Sequence, residues 1–190
     1  MTDLRTALVA IVGPAGVGKS TIAQELCSLG RSSNLSTFRR QRFAGPLKDM
    51  LIAFGLTREQ VDGDQKEVPC ELLCGHTPRD AMRWLGTEYG RAMIGEDVWV
   101  RAAMRRVERD LLGGFAVVID DCRFDNEAEA IRELGGIVVA LTRDGISYSA
   151  EHASETGISP HLVTYGVPNN TDPEDVARNI AWLLKHRPTT

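Results

Sequence analysis

A chain of 190 residues, 43% hydrophobic and 25% charged, has the make-up of a globular protein with a sizeable core, not of a disordered, fibrous or disulfide-framed one. Its formal net charge of −4 at pH 7 withholds the bulk basic charge on which sequence-independent nucleic-acid binding rests, and no stretch reaches the length of a membrane-spanning helix, so neither nucleic acid nor a membrane is expected as a partner. Within that balance the 22 basic residues include only four lysines, a bias that suits planar, bidentate recognition of phosphate and carboxylate.

The first element is the apolar run Ala7-Leu8-Val9-Ala10-Ile11-Val12, a buried strand. It is too short for the apolar segment of a secretory signal and leads into a glycine loop instead of a cleavage site, which predicts a cytoplasmic protein with reduced cysteines. The loop, Gly13-Pro14-Ala15-Gly16-Val17-Gly18-Lys19-Ser20-Thr21, fits G-x-x-x-x-G-K-[ST], and Ile22, Leu26 and Leu29 then recur at helical spacing. After a loop at 30–37, a basic strand is expected near Phe38 to Phe43, at a sheet edge or half exposed. A short helix follows with Leu47, Leu51 and Phe54 on one face, and residues 55–78 read as a polar loop with at most a turn at Thr57 to Val61. Thr77-Pro78-Arg79-Asp80 starts a helix, with a capping threonine, a proline at the first position and a carboxylate at the third. Met82, Leu85, Tyr89 and Met93 give it an apolar stripe. Asp97 opens another helix, carrying Val100, Met104, Val107 and Leu111 and closed by Gly113-Gly114.

Phe115 to Ile119 is a second buried strand, ending in Asp120-Asp121. A helix with Ala128, Ile131 and Leu134 follows, then a third buried strand from Ile137 to Leu141, ending at Thr142-Arg143. Residues 144–160 are a polar excursion, His161 to Tyr165 are expected as a short last strand, and Asp172-Pro173-Glu174 opens a terminal helix with Val176, Ile180, Leu183 and Leu184 inward. This alternation predicts one α/β domain over 1–190, a three-layer α/β/α P-loop fold on a mostly parallel five-stranded sheet. Its core covers about 5–38, 101–142 and 161–186, an acceptor-binding excursion about 39–100, and a lid about 143–160. Ligands of such folds bind where the strands end, so the glycine loop, Asp120-Asp121 and Arg143 are expected to converge.

The chemistry follows from residue types. Backbone N–H groups of Gly13, Ala15, Gly16, Val17 and Gly18, at a helix N-terminus, suit the phosphates of ATP; Lys19 can reach the β- and γ-phosphates, and Ser20, with Thr21 beside it, can ligate Mg²⁺. An apolar strand closing in Asp resembles the second nucleotide motif, which orients Mg²⁺; alternation along the strand turns one of Asp120 and Asp121 toward the metal, and the sequence leaves open which. Arg123 either reaches a substrate phosphate or pairs with Glu127 or Asp125, and Arg143 either neutralises the transferring phosphoryl group or is an exposed arginine. Lys48, Arg79, Arg83 and Arg91, interleaved with Phe43, Trp84, Tyr89 and Trp99, are what an anionic substrate carrying a base needs, although each aromatic alone also suits a core. Cys70-x-x-x-Cys74-x-His76 lacks a fourth zinc ligand, and His152 is a lone loop histidine.

Several blocks then occur in a familiar order: Phe43-Ala44-Gly45-Pro46-Leu47-Lys48, Thr77-Pro78-Arg79, Leu85-Gly86-Thr87-Glu88-Tyr89-Gly90-Arg91, Asp97-Val98-Trp99-Val100, and Val118 through Ala128. With the glycine loop, His152-Ala153-Ser154-Glu155 and Asn169-Asn170, they resemble the deoxynucleoside monophosphate (dNMP) kinases of bacteriophages over about residues 7–184. The resemblance implies ATP- and Mg²⁺-dependent phosphorylation of dNMP to dNDP on a nucleoside-monophosphate-kinase fold, serving phage DNA synthesis in the host cytoplasm. Carried over by position, Lys48, Arg79, Arg91 and Arg123 become acceptor contacts, with Phe43, Glu88 and Trp99 in the same blocks and Trp84 beside them, and Asn169-Asn170 fall where the loop beneath the adenine lies. A homodimer is compatible with this reading.

A phosphate monoester has its second pKa near 6, so the acceptor oxygen is already anionic at neutral pH and no general base is needed; the work is alignment and charge screening, which arginines, lysine and Mg²⁺ supply. A hydroxyl-phosphorylating kinase would want an Asp base, a part open to Asp120 or Asp121; a small-metabolite kinase on the same scaffold, similar to phosphomevalonate kinases at Pro46-Leu47-Lys48, is the runner-up. A non-kinase NTPase switch is the third alternative, weakened by the lack of a guanine-reading N-K-x-D.

Overall fold

The computed structural model describes residues 8–32, 37–147 and 157–186. The chain divides into two compact units, Met1–Arg42 with Met104–Thr190, and Phe43–Ala103.

The first unit is built on five parallel strands, β1 (Leu8–Val12), β2 (Phe38–Gln41), β3 (Ala116–Ile119), β4 (Ile137–Thr142) and β5 (Tyr165–Pro168), in the order β2-β3-β1-β4-β5. The expected α/β fold is thus realised with a sheet parallel throughout. β1 and β3 are buried at every position, as strands covered on both faces must be. Register sets Ala10 opposite Ile119 on one side and Val138 on the other, so the loop after Val12 and the aspartate after Ile119 leave the sheet at the same edge.

Alternation along β1 divides the core. Val9 and Ile11 face a cluster with Ile22 and Leu26 of α1 (Lys19–Ser32) and Val176, Ile180 and Leu184 of α7 (Pro173–His186). On the other face, Ile131 of α6 (Asp125–Glu133) and Leu8 crowd the same point beside Gly136. Two positions differ from expectation. The last strand begins at Tyr165, not His161, because Pro160–Leu162 form a turn of 3₁₀ helix and proline has no N–H for a ladder. The basic strand is an edge strand as expected, but its arginines are committed to partners described below.

The second unit has its own core of Leu47, Leu51, Leu56, Val61, Ala81 and Trp99. α2 (Gly45–Phe54) contributes Leu47 and Leu51, whereas Phe54, expected beside them, is 62% exposed. Gly55 at φ +125° reverses the chain and delivers Leu56 in its place, its N–H bonded to the Leu51 carbonyl. Within residues 55–78 the turn expected at Thr57 to Val61 is α3 (Arg58–Asp62), and the polar loop expected beyond it contains 3₁₀ turns at Asp64–Glu67 and Glu71–Leu73. Thr57 caps α3 and exchanges hydrogen bonds with Gln60; Thr77 caps α4 (Pro78–Arg83) and exchanges them with Asp80, the expected start.

α4 runs directly into a π-helical segment, Trp84–Ile94. Its wider i→i+5 turn breaks the 3.6-residue stripe, so Met82 and Leu85 stay with the core while Tyr89 and Met93 face out. The segment is tied to the core by Trp99, whose indole N–H donates to the Gly86 carbonyl at 2.9 Å. A Cβ on Gly90 would lie 2.3 Å from the indole nitrogen, so glycine is required there. α5 (Val98–Leu112) buries Val100, Met104, Val107 and Leu111 as expected.

Candidate active site

The glycine loop leaves β1 and enters α1 at Lys19. The Lys19 ammonium lies over the loop, donating to the carbonyls of Gly13 at 2.7 Å and Pro14 at 2.8 Å. Behind Gly18 sits Asn169, in the turn between β5 and α7. This buried residue donates from Nδ2 to the Val17 carbonyl at 2.7 Å. Its neighbour Asn170 accepts from the Asp144 N–H at 3.0 Å, in the turn that an Arg143–Ile146 bridge closes after β4. Ile146 is the nearest side chain to Gly16, so this turn abuts the loop.

The strand-end aspartates separate as alternation requires. Asp120 is buried and Asp121 half buried. Ser20 Oγ donates to Asp120 Oδ2 at 2.7 Å, across 100 residues of sequence. Asp120 also carries Arg40 of β2, with Nε on Oδ1 at 2.8 Å and Nη2 on Oδ2, and Arg42 Nε lies 3.6 Å from Oδ1. Burial pushes the Asp120 carboxyl up, but hydrogen bonds from Arg40 and Ser20, with the charges of Arg40 and Arg42, outweigh it and hold it below the usual range. Burial likewise opposes the Arg40 charge, and the pair with Asp120 more than compensates.

On the other face of β2, Arg39 at 2.7 Å and Gln41 at 2.6 Å both donate to Asp110, with the Arg39 guanidinium stacked over Phe115. The basic strand therefore satisfies two buried carboxylates. Arg40 and Arg42 were not singled out from the sequence; the signal that could have found them is a buried strand-end Asp, which needs a cation nearby, beside a strand carrying Arg at alternate positions.

Past Asp121, buried Glu127 accepts from the backbone N–H groups of Arg123 at 2.7 Å and Phe124 at 3.2 Å, pinning the turn into α6. Asp125 holds Ser159, whose N–H donates to it at 2.9 Å, and these bonds keep the Asp125 carboxyl low. Glu127 and Asp125 are thus occupied by backbone and serine, and the Arg123 side chain is exposed, as is that of Arg143. Buried Cys122 has its thiol pushed up by burial first and by Glu127, Asp121 and Asp125 after it, which leaves it inert. His152, Ala153, Ser154 and Glu155 lie outside the described residues.

The remaining candidates belong to the second unit. Lys48 donates to Asp62 at 2.5 Å, Arg79 pairs with Glu67, and Arg83 donates to Glu88 at 3.1 Å. Trp84 is part exposed and meets His76 edge-on at 4.8 Å between centroids; Arg91 is half buried, and Phe43 and Trp99 are buried. No group of three or more His, Cys, Asp or Glu among the described residues is arranged to hold a metal, and no described helix is long and apolar enough to cross a membrane.

A parallel sheet whose central strand opens into G-x-x-x-x-G-K-S, with the serine on a strand-end aspartate, defines a P-loop α/β protein. The family description "Deoxynucleotide monophosphate kinase" matches residues 73–180. The "Putative deoxynucleotide monophosphate kinase" of Acanthamoeba polyphaga mimivirus is 33% identical over 166 residues, covering 78% of this chain and 80% of that protein. The "Deoxynucleoside-5'-monophosphate kinase" of Escherichia phage T5 is 28% identical over 103 residues, half of this chain and 40% of that one. Among solved structures, an unliganded sugar kinase from Janibacter sp. HTCC2649 aligns over 95% of both chains with a TM-score of 0.44 and 18% identity. The chain belongs to the deoxynucleotide monophosphate kinase family and is a nucleotide phosphotransferase, for which the family implies ATP as a substrate. The metabolite-kinase and switch alternatives fall away.

Proposed function

We propose that the chain passes the γ-phosphoryl group of ATP, in line, to the phosphate of a dNMP, with Mg²⁺ at Ser20, which Asp120 orients. The observation that carries the reading is the 2.7 Å bond from Ser20 Oγ to Asp120. A hydroxyl that gives its proton to a carboxylate keeps both lone pairs for a cation, and hydroxyl and carboxylate oxygens are the hard donors that Mg²⁺ takes. When bound, Mg²⁺ neutralises charge between the β- and γ-phosphates. Because Ser20, Arg40 and Arg42 already occupy the oxygens of Asp120, this aspartate acts by orienting Ser20, and Asp121 is the second carboxylate of the strand end.

In this reading the loop amides from Gly13 to Thr21 hold the donor phosphates, and Lys19 leaves the Gly13 and Pro14 carbonyls for the β- and γ-oxygens. Arg143 and Arg123 screen the meeting of two anions, and the acceptor binds through Lys48, Arg79, Glu88, Arg91 and the part-exposed Trp84, with buried Phe43 and Trp99 supporting them from within. No side chain abstracts a proton, because the acceptor phosphate is already anionic at neutral pH. The viral sources of two relatives support a role in deoxynucleotide supply for viral DNA synthesis in the host cytoplasm. A coupled assay with ATP, Mg²⁺ and each dNMP in turn tests this: ADP forms with at least one dNMP, and ADP formation with none would remove it.

A further inference from the structure

Asn169 has a second geometric consequence, one that concerns the loop and not a base. Its side chain is buried, its own N–H is fixed on the Thr142 carbonyl at 2.7 Å, and its Nδ2 holds the Val17 carbonyl at 2.7 Å. The described chain has no cis peptide, so the Val17–Gly18 unit is planar and trans, and its N–H points opposite to its C=O. Drawing the Val17 carbonyl onto Asn169 therefore turns the Gly18 N–H away from Asn169. Among the described residues that N–H donates to no protein acceptor. Gly18 sits at φ +98°, and a Cβ there would lie 2.5 Å from Asn169 Nδ2, so amide and glycine are fitted to each other.

We propose that Asn169 is a positioning residue for phosphoryl transfer: it fixes the Val17–Gly18 peptide so that the Gly18 N–H faces the donor phosphates. This rests on the reading that the glycine loop holds those phosphates, and it places the Asn169 side chain on the loop, not on adenine. A peptide free to rotate would offer a carbonyl oxygen to the phosphate for part of the time, which repels an anion.

The test uses two ligands that differ by the nucleoside, ATP and inorganic tripolyphosphate, measured by titration calorimetry on the full chain. Asn169→Asp keeps the shape and loses the donor; Asn169→Ala loses both. Each is expected to weaken ATP and tripolyphosphate by the same factor, about tenfold or more, and to raise the KM for ATP while leaving that for dNMP in place. Gly18→Ala, which pushes on the same contact from the other side, gives the same pattern. A loss for ATP with tripolyphosphate unchanged would put Asn169 on the adenine and overturn the proposal, as would no loss for either. Wild-type protein that binds neither ligand would sink the phosphate-loop reading itself, and this inference with it. The unsubstituted protein supplies a second measurement if the variants do not fold. With glycine and asparagine labelled in ¹⁵N, the Gly18 amide shifts on adding tripolyphosphate and the Asn169 side-chain amide protons exchange slowly. A Gly18 amide that does not move overturns the proposal.

Discussion

The two units hold their charges in different ways. In the first, buried carboxylates are each held by several donors: Asp120 by Ser20 and Arg40, Asp110 by Arg39 and Gln41, Glu127 by two backbone N–H groups. In the second, Arg79–Glu67 and Arg83–Glu88 are pairs in which both side chains are more than half exposed. Buried, multiply bonded groups are costly to rearrange, whereas exposed pairs contribute about 0–1 kcal/mol and exchange partners readily. The first unit is thus preorganised for chemistry that always presents the same phosphates. The second can release its arginines to an arriving anion at little cost.

The widest separation is expected at Lys19. Lys19→Ala should lower kcat by roughly a thousandfold, the scale of losing a preorganised cation on a transferring phosphoryl group. Circular dichroism should be unchanged, since the bonds from the lysine head to the Gly13 and Pro14 carbonyls stay within the loop; retained turnover with a normal spectrum would remove the loop from the mechanism. Arg123→Ala comes next, at about a hundredfold in kcat/KM, with little loss of stability because the exposed guanidinium leaves Glu127 on its backbone partners. A wild-type rate would make Arg123 a surface residue.

Arg40→Met probes the buried side in stability as well as rate. It removes a cation from a carboxylate that stays buried, a cost of about 1–3 kcal/mol. The pH dependence has a definite sign. The folded Asp120 lies below its ordinary 3.8, so its contribution is present above that value and is lost as pH falls through the lower folded value. In Arg40→Met burial is less opposed and the folded value rises, so the melting temperatures of the two proteins should differ most at neutral pH and converge in acid below about pH 4. A constant difference down to acid pH would mean that Arg40 acts by packing.

These contrasts also mark what the chain discloses before it folds. The sheet was legible because continuous apolar runs such as Val9 to Val12 and Val117 to Ile119 have few alternatives, and the glycine loop because each of its positions answers to a phosphate. The Thr77 and Asp80 cap was legible for the same local reason. What stayed hidden depends on contacts far apart in sequence. Arg40 reaches Asp120 across 80 residues and Asn169 reaches Val17 across 152, and no local pattern prices such pairs. The π-helical turn from Trp84 to Ile94 was hidden for another reason: Met82, Leu85, Tyr89 and Met93 satisfy a 3.6-residue stripe on paper, and only the indole of Trp99 against Gly86 and Gly90 shows that the backbone takes a wider turn.

The smallest effect separates the units from the other side. Glu67→Gln removes the partner of Arg79 on the surface of the second unit. Thermal stability should change by less than about 0.5 kcal/mol, as for an exposed pair. If Arg79 leaves Glu67 to take the acceptor phosphate, the same substitution deletes a competitor for that arginine. The KM for dNMP should then fall by about twofold, of the order that half a kcal/mol produces, while kcat and the KM for ATP stay unchanged. Arg79→Ala should raise the KM for dNMP by about tenfold with equally little change in melting temperature, the usual worth of one charge-assisted bond. Opposite movements of one KM from the two halves of a single ion pair, with stability flat in both, are what a surface of exchangeable pairs predicts. A matching loss of stability in both variants would place Arg79 and Glu67 among the fixed charges and erase the contrast between the two units.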